Sequence, residues 1–318
     1  MVIAKGGILN NSGSITVGSG VTISNYGTLT NNASGVIASQ SNIINQSGGT
    51  LTNAGTITNN SDLTNYGALT NSGTIVINAG MTSDGYATIN NSGTLQLNGL
   101  GDLYCTGYSL SSPPRPMFTG MLLYSNGVFL QQPGSTIVLG SGTQLYITPE
   151  GGEGPGFVIP SGASLVISPG ASLTINAQAI VDNEGTISNS GAIALVDAGN
   201  GLTPGALNNS GTITNNAGYM LSKSLKGRLY ATWGSITNNG AITNKGTLNN
   251  GWSGRTTEPI LTQPTITNVS QNSAINNSGK STNYGTIDNN GVINNSGVFH
   301  KDGGVLNGSA IKGNPPVP

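Results

Sequence analysis

Between residues 49 and 78 the apolar positions recur every six residues. Leu51, Ile57, Leu63, Leu69 and Ile75 occupy them, Asn53, Asn59, Asn65 and Asn71 follow two residues later, and Gly49, Gly55, Gly67 and Gly73 stand two residues before most of them. That period suits neither an α-helix nor strands folding back as hairpins. It predicts a winding chain with one short strand and one corner per repeat. Strand side chains alternate faces, so the aliphatic residue points inward and the threonines beside it point outward. Asn-x-Gly is expected to turn the corner, because both residues tolerate the left-handed backbone of a tight bend. Stacked turns of this kind form a parallel β-solenoid, an all-β fold.

The same reading extends along the chain. Leu9, Ile15, Ile23, Leu29, Ile37, Ile43 and Leu51 alternate between six- and eight-residue spacings, which predicts three-sided coils of about 18–22 residues. Residues 1–98 form a first solenoid stretch. Residues 99–134 break the rhythm with aromatic residues and prolines and read as an insertion that packs on a solenoid face or forms an interface. Residues 135–216 return to solenoid with doubled aliphatics, as at Ile137/Leu139, Leu165/Ile167 and Leu173/Ile175, separated by Pro-Gly and Ser-Gly turn segments. A basic, aromatic insertion at 217–234 precedes solenoid at 235–249. A third insertion at 250–272 precedes a solenoid and C-terminal cap at 273–314. Residues 315–318 form a proline-rich tail suited to stopping edge pairing.

Composition narrows the function classes. Charged residues are 7% of 318, well below the roughly 25% of an average soluble domain. Periodic aliphatics argue for a thin continuous core rather than disorder. One cysteine, Cys105, precludes an internal disulfide, and with one histidine the chain lacks the ligands of a conventional structural zinc site. No secretory leader is legible after Met1, and no run is apolar enough for a membrane helix, so membrane insertion is not expected.

The Asn/Gly/Thr-rich hexads resemble the repeats of bacterial surface β-solenoids, including filamentous-haemagglutinin-type adhesins. The resemblance implies solenoid winding and an extracellular, cell-surface or virus-particle setting.

Carboxylates are sparse. Glu150 and Glu153 lie in a turn, and Asp182, Glu184 and Asp197 are candidates for a cation or sugar site but read best as solvated corner residues. His300, the lone histidine, reads as a surface or cap residue. No catalytic, cofactor-binding or metal-ligating set is therefore expected. Charge is unevenly placed: residues 1–198 hold Lys5 and Arg115 among eight acids, and residues 199–318 hold eight of the ten basic residues. Such a split suggests head-to-tail assembly of copies of this chain into a filament, fibre or surface layer. The contacts are expected where bulky and basic residues interrupt the repeat: Tyr104, Phe118, Tyr124, Phe129, Lys223, Lys226, Arg228, Tyr230, Trp233, Trp252 and Arg255. A glycan-binding adhesin or polysaccharide depolymerase is the alternative. Ice binding through Thr-x-Thr triplets (Thr28/Thr30, Thr50/Thr52, Thr56/Thr58, Thr212/Thr214, Thr265/Thr267) is a third reading. Three close cations are too few to suggest a nucleic-acid partner.

Overall fold

In the computed structural model, the described residues are 1–83, 87–98, 101–107, 118–119, 128–131, 133–149, 157–196, 203–215, 217–222, 228–238, 241–251 and 264–318. The chain forms two compact units, Met1–Leu145 with Glu150–Gly156, and Phe157–Pro318 with Tyr146–Pro149.

Each unit winds as a three-sided parallel β-solenoid. In the first, successive strands of a coil join three different sheets, as Ile23–Asn25, Thr28–Asn31 and Val36–Ser39 do. Each then pairs in parallel with its counterpart one coil on: Ile23 opposite Ile43, Leu29 opposite Leu51, Ile37 opposite Ile57. In the second unit Ile180–Asn183, Thr186–Asn189 and Ala192–Leu195 repeat the arrangement, with Val181 opposite Leu207, Ile187 opposite Ile213 and Ile193 opposite Ile236. Up to Leu97, cross-coil partners in the first unit are 18 to 22 residues apart, the expected coil length.

The Thr-aliphatic-Thr-Asn strand explains the packing. In Thr50–Asn53 and Thr56–Asn59 the first and third side chains face outward, and the second and fourth are buried. Aliphatic residues of successive coils stack into columns such as Leu29–Leu51–Leu69–Ile89, all 2% exposed or less.

Two expectations about the corners need correction. The asparagines do not turn the chain through left-handed backbone: they end strands facing inward, with Asn53, Asn59 and Asn65 fully buried, and where they support a corner they do so through Oδ1, as Asn25 accepting from Gly27 N–H at 3.2 Å. Among described non-glycine residues only Gln178 and Asp302 adopt positive φ. Nor do the hexad glycines serve left-handed corners. A Cβ on Gly73 would lie 2.1 Å from the Gly55 carbonyl oxygen of the preceding coil, so glycine is required by the close approach of coils. Left-handed glycine appears instead in the longer, eight-residue corners, as at Gly20 (φ 80°).

The last coil carries a closure. Val317 bridges in parallel to His300; its N–H donates to the Phe299 carbonyl at 2.8 Å, and its own carbonyl accepts from Lys301 N–H at 2.8 Å. Pro316 and Pro318 flank it and lack the N–H a further partner would need. This gives the proline tail its role. Beside it the Tyr284 hydroxyl hydrogen-bonds to Asp302. Partial burial first, and the Asp302 carboxylate next, hold this tyrosine above its ordinary 10.0. A value raised by folding contributes stability that is whole below the unfolded value and lost as pH rises through the folded one. The stability of the second unit in denaturant melts is therefore expected to hold to about pH 10 and to fall above it. Tyr284→Phe should remove that alkaline step, and an identical step in the variant would refute the assignment.

Candidate functional site

The interior is a hydrogen-bonded device before it is a hydrophobic one. Asn25, Asn45 and Asn65 stack on one face of the first unit, and each Nδ2 donates to the Oδ1 of the next at 2.8 Å. Asn11, Asn31, Asn53, Asn71 and Asn91 do the same on a second face. In the second unit Asn183, Asn209, Asn244, Asn277 and Asn295 form another such ladder. The spare Nδ2 hydrogen goes to a backbone carbonyl at the start of the next strand, as from Asn53 to Thr74 at 3.1 Å. Every rung donates toward the C-terminus, so each ladder is polar along its length.

The middle of the chain fills the same position with aliphatics instead. Ile77, Leu97 and Leu139 follow Asn59 on one face, and Ile159 precedes Asn183 on another. This accounts for the doubled aliphatics of the eight-residue register, since Leu165 and Ile167 both point inward and are fully buried. At some junctions of the two kinds of filling the amide oxygen accepts a glycine N–H, as Asn25 does beside Ile3 and Asn189 beside Ile167; at two others it is left over. Oδ1 of Asn59, below Ile77, and Oδ1 of Asn183, above Ile159, are buried without a partner. These residues are structural, and sequence reasoning placed them at corners because cross-coil neighbours carry no local signal.

Outward-facing chemistry is concentrated on one corner of the second unit. Asp182, Glu184, Asn208, Ser210 and Lys245 line a hollow of about 310 Å³, and Asn276, Asn294, Ser296 and Lys312 line another of about 350 Å³. Both hollows include Thr243, so they run into each other along the corner. The outward amides are tied from coil to coil: Asn208 Nδ2 donates to Asp182 Oδ1 at 2.8 Å and Asn294 Nδ2 to Asn276 Oδ1 at 2.9 Å. Asp182 and Glu184 share this corner as anticipated, whereas Asp197, Glu150 and Glu153 lie outside the described residues. Among the described residues no group of three or more His, Cys, Asp or Glu could hold a metal ion. His300 is half-buried in the final coil, a cap position.

Of the anticipated contact residues, Tyr124, Lys223, Lys226, Trp252 and Arg255 lie outside the described residues. Tyr104 lies in the strand Gly101–Gly107. Phe118 and Phe129 are opposite each other in an antiparallel pair, and Phe129 also pairs in parallel with Ile89 of the solenoid. The flank of the 99–134 stretch therefore rejoins a solenoid sheet. Arg228, Tyr230 and Trp233 belong to an antiparallel hairpin of Ala217–Ser222 with Arg228–Trp233, outside the coil repeat. The threonine triplets stand outward, but the columns are interrupted: Thr28 and Thr50 are followed by Ala68, and Thr30, Thr52 and Thr70 by Asn90.

The ends of the units carry further detail. In the first coil the inward-facing Leu9 and Ile15 are only half-buried, and Val2 and Ile8 are 69% and 70% exposed. In the last coil the ladder positions hold Gly308 and Gly313, both at positive φ, opposite Asn289 and Asn295. A side chain there would meet the preceding backbone, so the ladder stops. Lys5 stands in the first coil of the first unit, and Lys301, Asp302 and Lys312 stand in the last coil of the second. Among the described residues no helix is long and apolar enough to cross a membrane.

The family model of the haemagglutinin repeat matches residues 1–47, 26–99, 161–251 and 247–314 of the chain. No curated protein sequence matches it. Among solved structures, the chain is similar to a crystal structure of a TibC-catalysed, hyper-glycosylated TibA fragment, at 15% identity over 96% of this chain and 97% of that one, with a TM-score of 0.24. A likeness at that score says nothing about function.

Proposed function

Because the chain belongs to the haemagglutinin-repeat family, we propose that it is a structural adhesin displayed outside the cell, without enzymatic activity. The observation that carries this reading is the division of labour within each coil. Polar and apolar interior positions satisfy one another from coil to coil, as in the ladder from Asn11 to Asn91. The outward faces are then left to uncharged Thr, Ser, Asn and Ala, such as Thr50, Thr52, Thr56 and Thr58. Such a surface is solvated and rigid, and it serves as a scaffold for contacts made at corners and insertions. Beads coated with the full chain are expected to adhere to cells or to polysaccharide-coated surfaces above beads coated with an unrelated β-protein. Equal adhesion of the two on every surface would overturn the reading.

Self-assembly is the second reading. Unpaired strand edges and the exposed Val2 and Ile8 favour contacts through the first coil. The closure by Val317 and the positive-φ Gly308 and Gly313 weigh against a matching surface on the coil that holds them. Negative-stain microscopy at low and high salt separates the cases. Fibres that fragment at high salt would restore the charge-steered filament, and discrete particles at both would exclude it.

A further inference from the structure

We infer that the corner running from Thr243 to Gly313 in the second unit is a binding groove for an extended acidic polysaccharide. This inference rests on the adhesin reading and names its ligand class and site.

The groove runs across the strands, along the direction in which coils stack. Each coil therefore contributes one rung about every 4.8 Å. The rungs are side chains that can both give and accept hydrogen bonds: Thr243, Asn276 and Asn294, followed by Lys312. The Asn294-to-Asn276 bond holds two of them in a fixed row. A ligand with one polar group per rung must repeat at nearly the same interval. A pyranose unit in an extended chain has a comparable length. A peptide advances only about 3.3 Å per residue and falls out of step by the second rung. Its backbone would also find no open strand edge before Lys312, because the strands Ala241–Asn244, Ala274–Asn277 and Val292–Asn295 are each paired on both sides. No aromatic side chain lines either hollow, so the groove lacks the stacking platform of a single-stranded nucleic-acid site.

Charge selects the kind of sugar chain. Lys245 and Lys312 border the groove near opposite ends, and the exposed Lys280 follows closely after Ser278 of the same corner. Asp182 and Glu184 lie in the neighbouring hollow, beyond Asn208. Carboxylate-bearing sugars are thus favoured from Thr243 onward and repelled further back. A row of fixed amides with lysines at intervals binds such a chain through many weak contacts, each small in water but cumulative along the row.

Titration calorimetry of the full chain with a short oligogalacturonate, and with a neutral cello-oligosaccharide as comparison, tests this. The carboxylated chain should bind more tightly than the neutral one, and its binding should weaken with salt. The Lys245→Gln/Lys312→Gln double variant should lose about tenfold in affinity. Asn276→Asp should also weaken binding, whereas Thr265→Val on another face should not. Circular dichroism checks that each variant keeps its strands. Preference for the neutral chain, no binding of either, or unchanged affinity in the double variant would overturn the proposal. Bead adhesion that persists in the double variant, alongside any of these results, would leave the adhesin reading standing and remove only this site. Failure of the wild-type beads would remove the reading itself.

Discussion

Gly73→Ala is expected to destabilise the first unit by about 4 kcal/mol or more, a large effect for the addition of one methyl group. The added Cβ would sit 2.1 Å from the Gly55 carbonyl oxygen and 2.6 Å from the carbonyl carbon and oxygen of Ala54. These are backbone atoms of the preceding coil and cannot rotate away. The Gly55 carbonyl also accepts the Thr74 N–H at 2.9 Å, so pushing the coils apart breaks a ladder bond as well. Gly20→Ala is the control. Gly20 has φ 80° with nothing within 4 Å of an added Cβ, so only backbone strain of about 1–2 kcal/mol is at stake. Denaturant melts of the two variants should differ accordingly. Equal midpoints would show that coil spacing tolerates a methyl group and that glycine recurs here for another reason.

The second large effect concerns the amide ladder. Asn53→Leu is expected to cost about 3–5 kcal/mol, lowering Tm by about 10 °C. Its Oδ1 accepts from Asn31, and its Nδ2 donates to Asn71 Oδ1 at 2.8 Å and to the Thr74 carbonyl at 3.1 Å. Leucine fills the space but leaves each of those buried partners unmatched. Asn59→Leu should cost about 1 kcal/mol or less. Asn59 already stands below Ile77, its Oδ1 has no partner, and its Nδ2 donates only to the Ser61 carbonyl at 2.8 Å. Extending the aliphatic column by one residue there trades a weakly bonded amide for apolar contact. Thermal melts of both variants measure the contrast. A similar loss in the two would mean that burial of the amide, rather than its ladder, sets the cost.

The ladder also shapes how the chain ends. A polar column is satisfied rung by rung, so its first Oδ1 and its last Nδ2 need partners outside the column, as Asn25 Oδ1 accepts from Gly27 N–H at 3.2 Å. Gly308 and Gly313 stop it in the last coil, where Asn289 and Asn295 donate to the backbone carbonyls of Ser309 and Asn314. The Ile159–Asn183 junction starts it at the expense of an unpartnered Oδ1. Coil number can thus be changed most safely by whole rungs of one kind.

The solenoid itself was legible in the residues. An aliphatic every six or eight positions, with threonine on both sides, leaves a strand period of two no alternative but three short strands per coil, and those strands are present. The turn role of Gly134, Gly162 and Gly170 was legible too, because a Pro-Gly or Ser-Gly corner is local chemistry. Three things were decided only by the stacked coils. Asn53 points inward rather than turning a corner, Gly73 is required by the carbonyl of Gly55, and Thr243, Asn276 and Lys312 meet on one corner. Each depends on residues 18 or more positions apart, brought within a few ångströms by winding. Asparagine and glycine are equally at home in a turn and in a tight cross-coil contact, so their identity alone cannot distinguish the two. Only the distance between coils does.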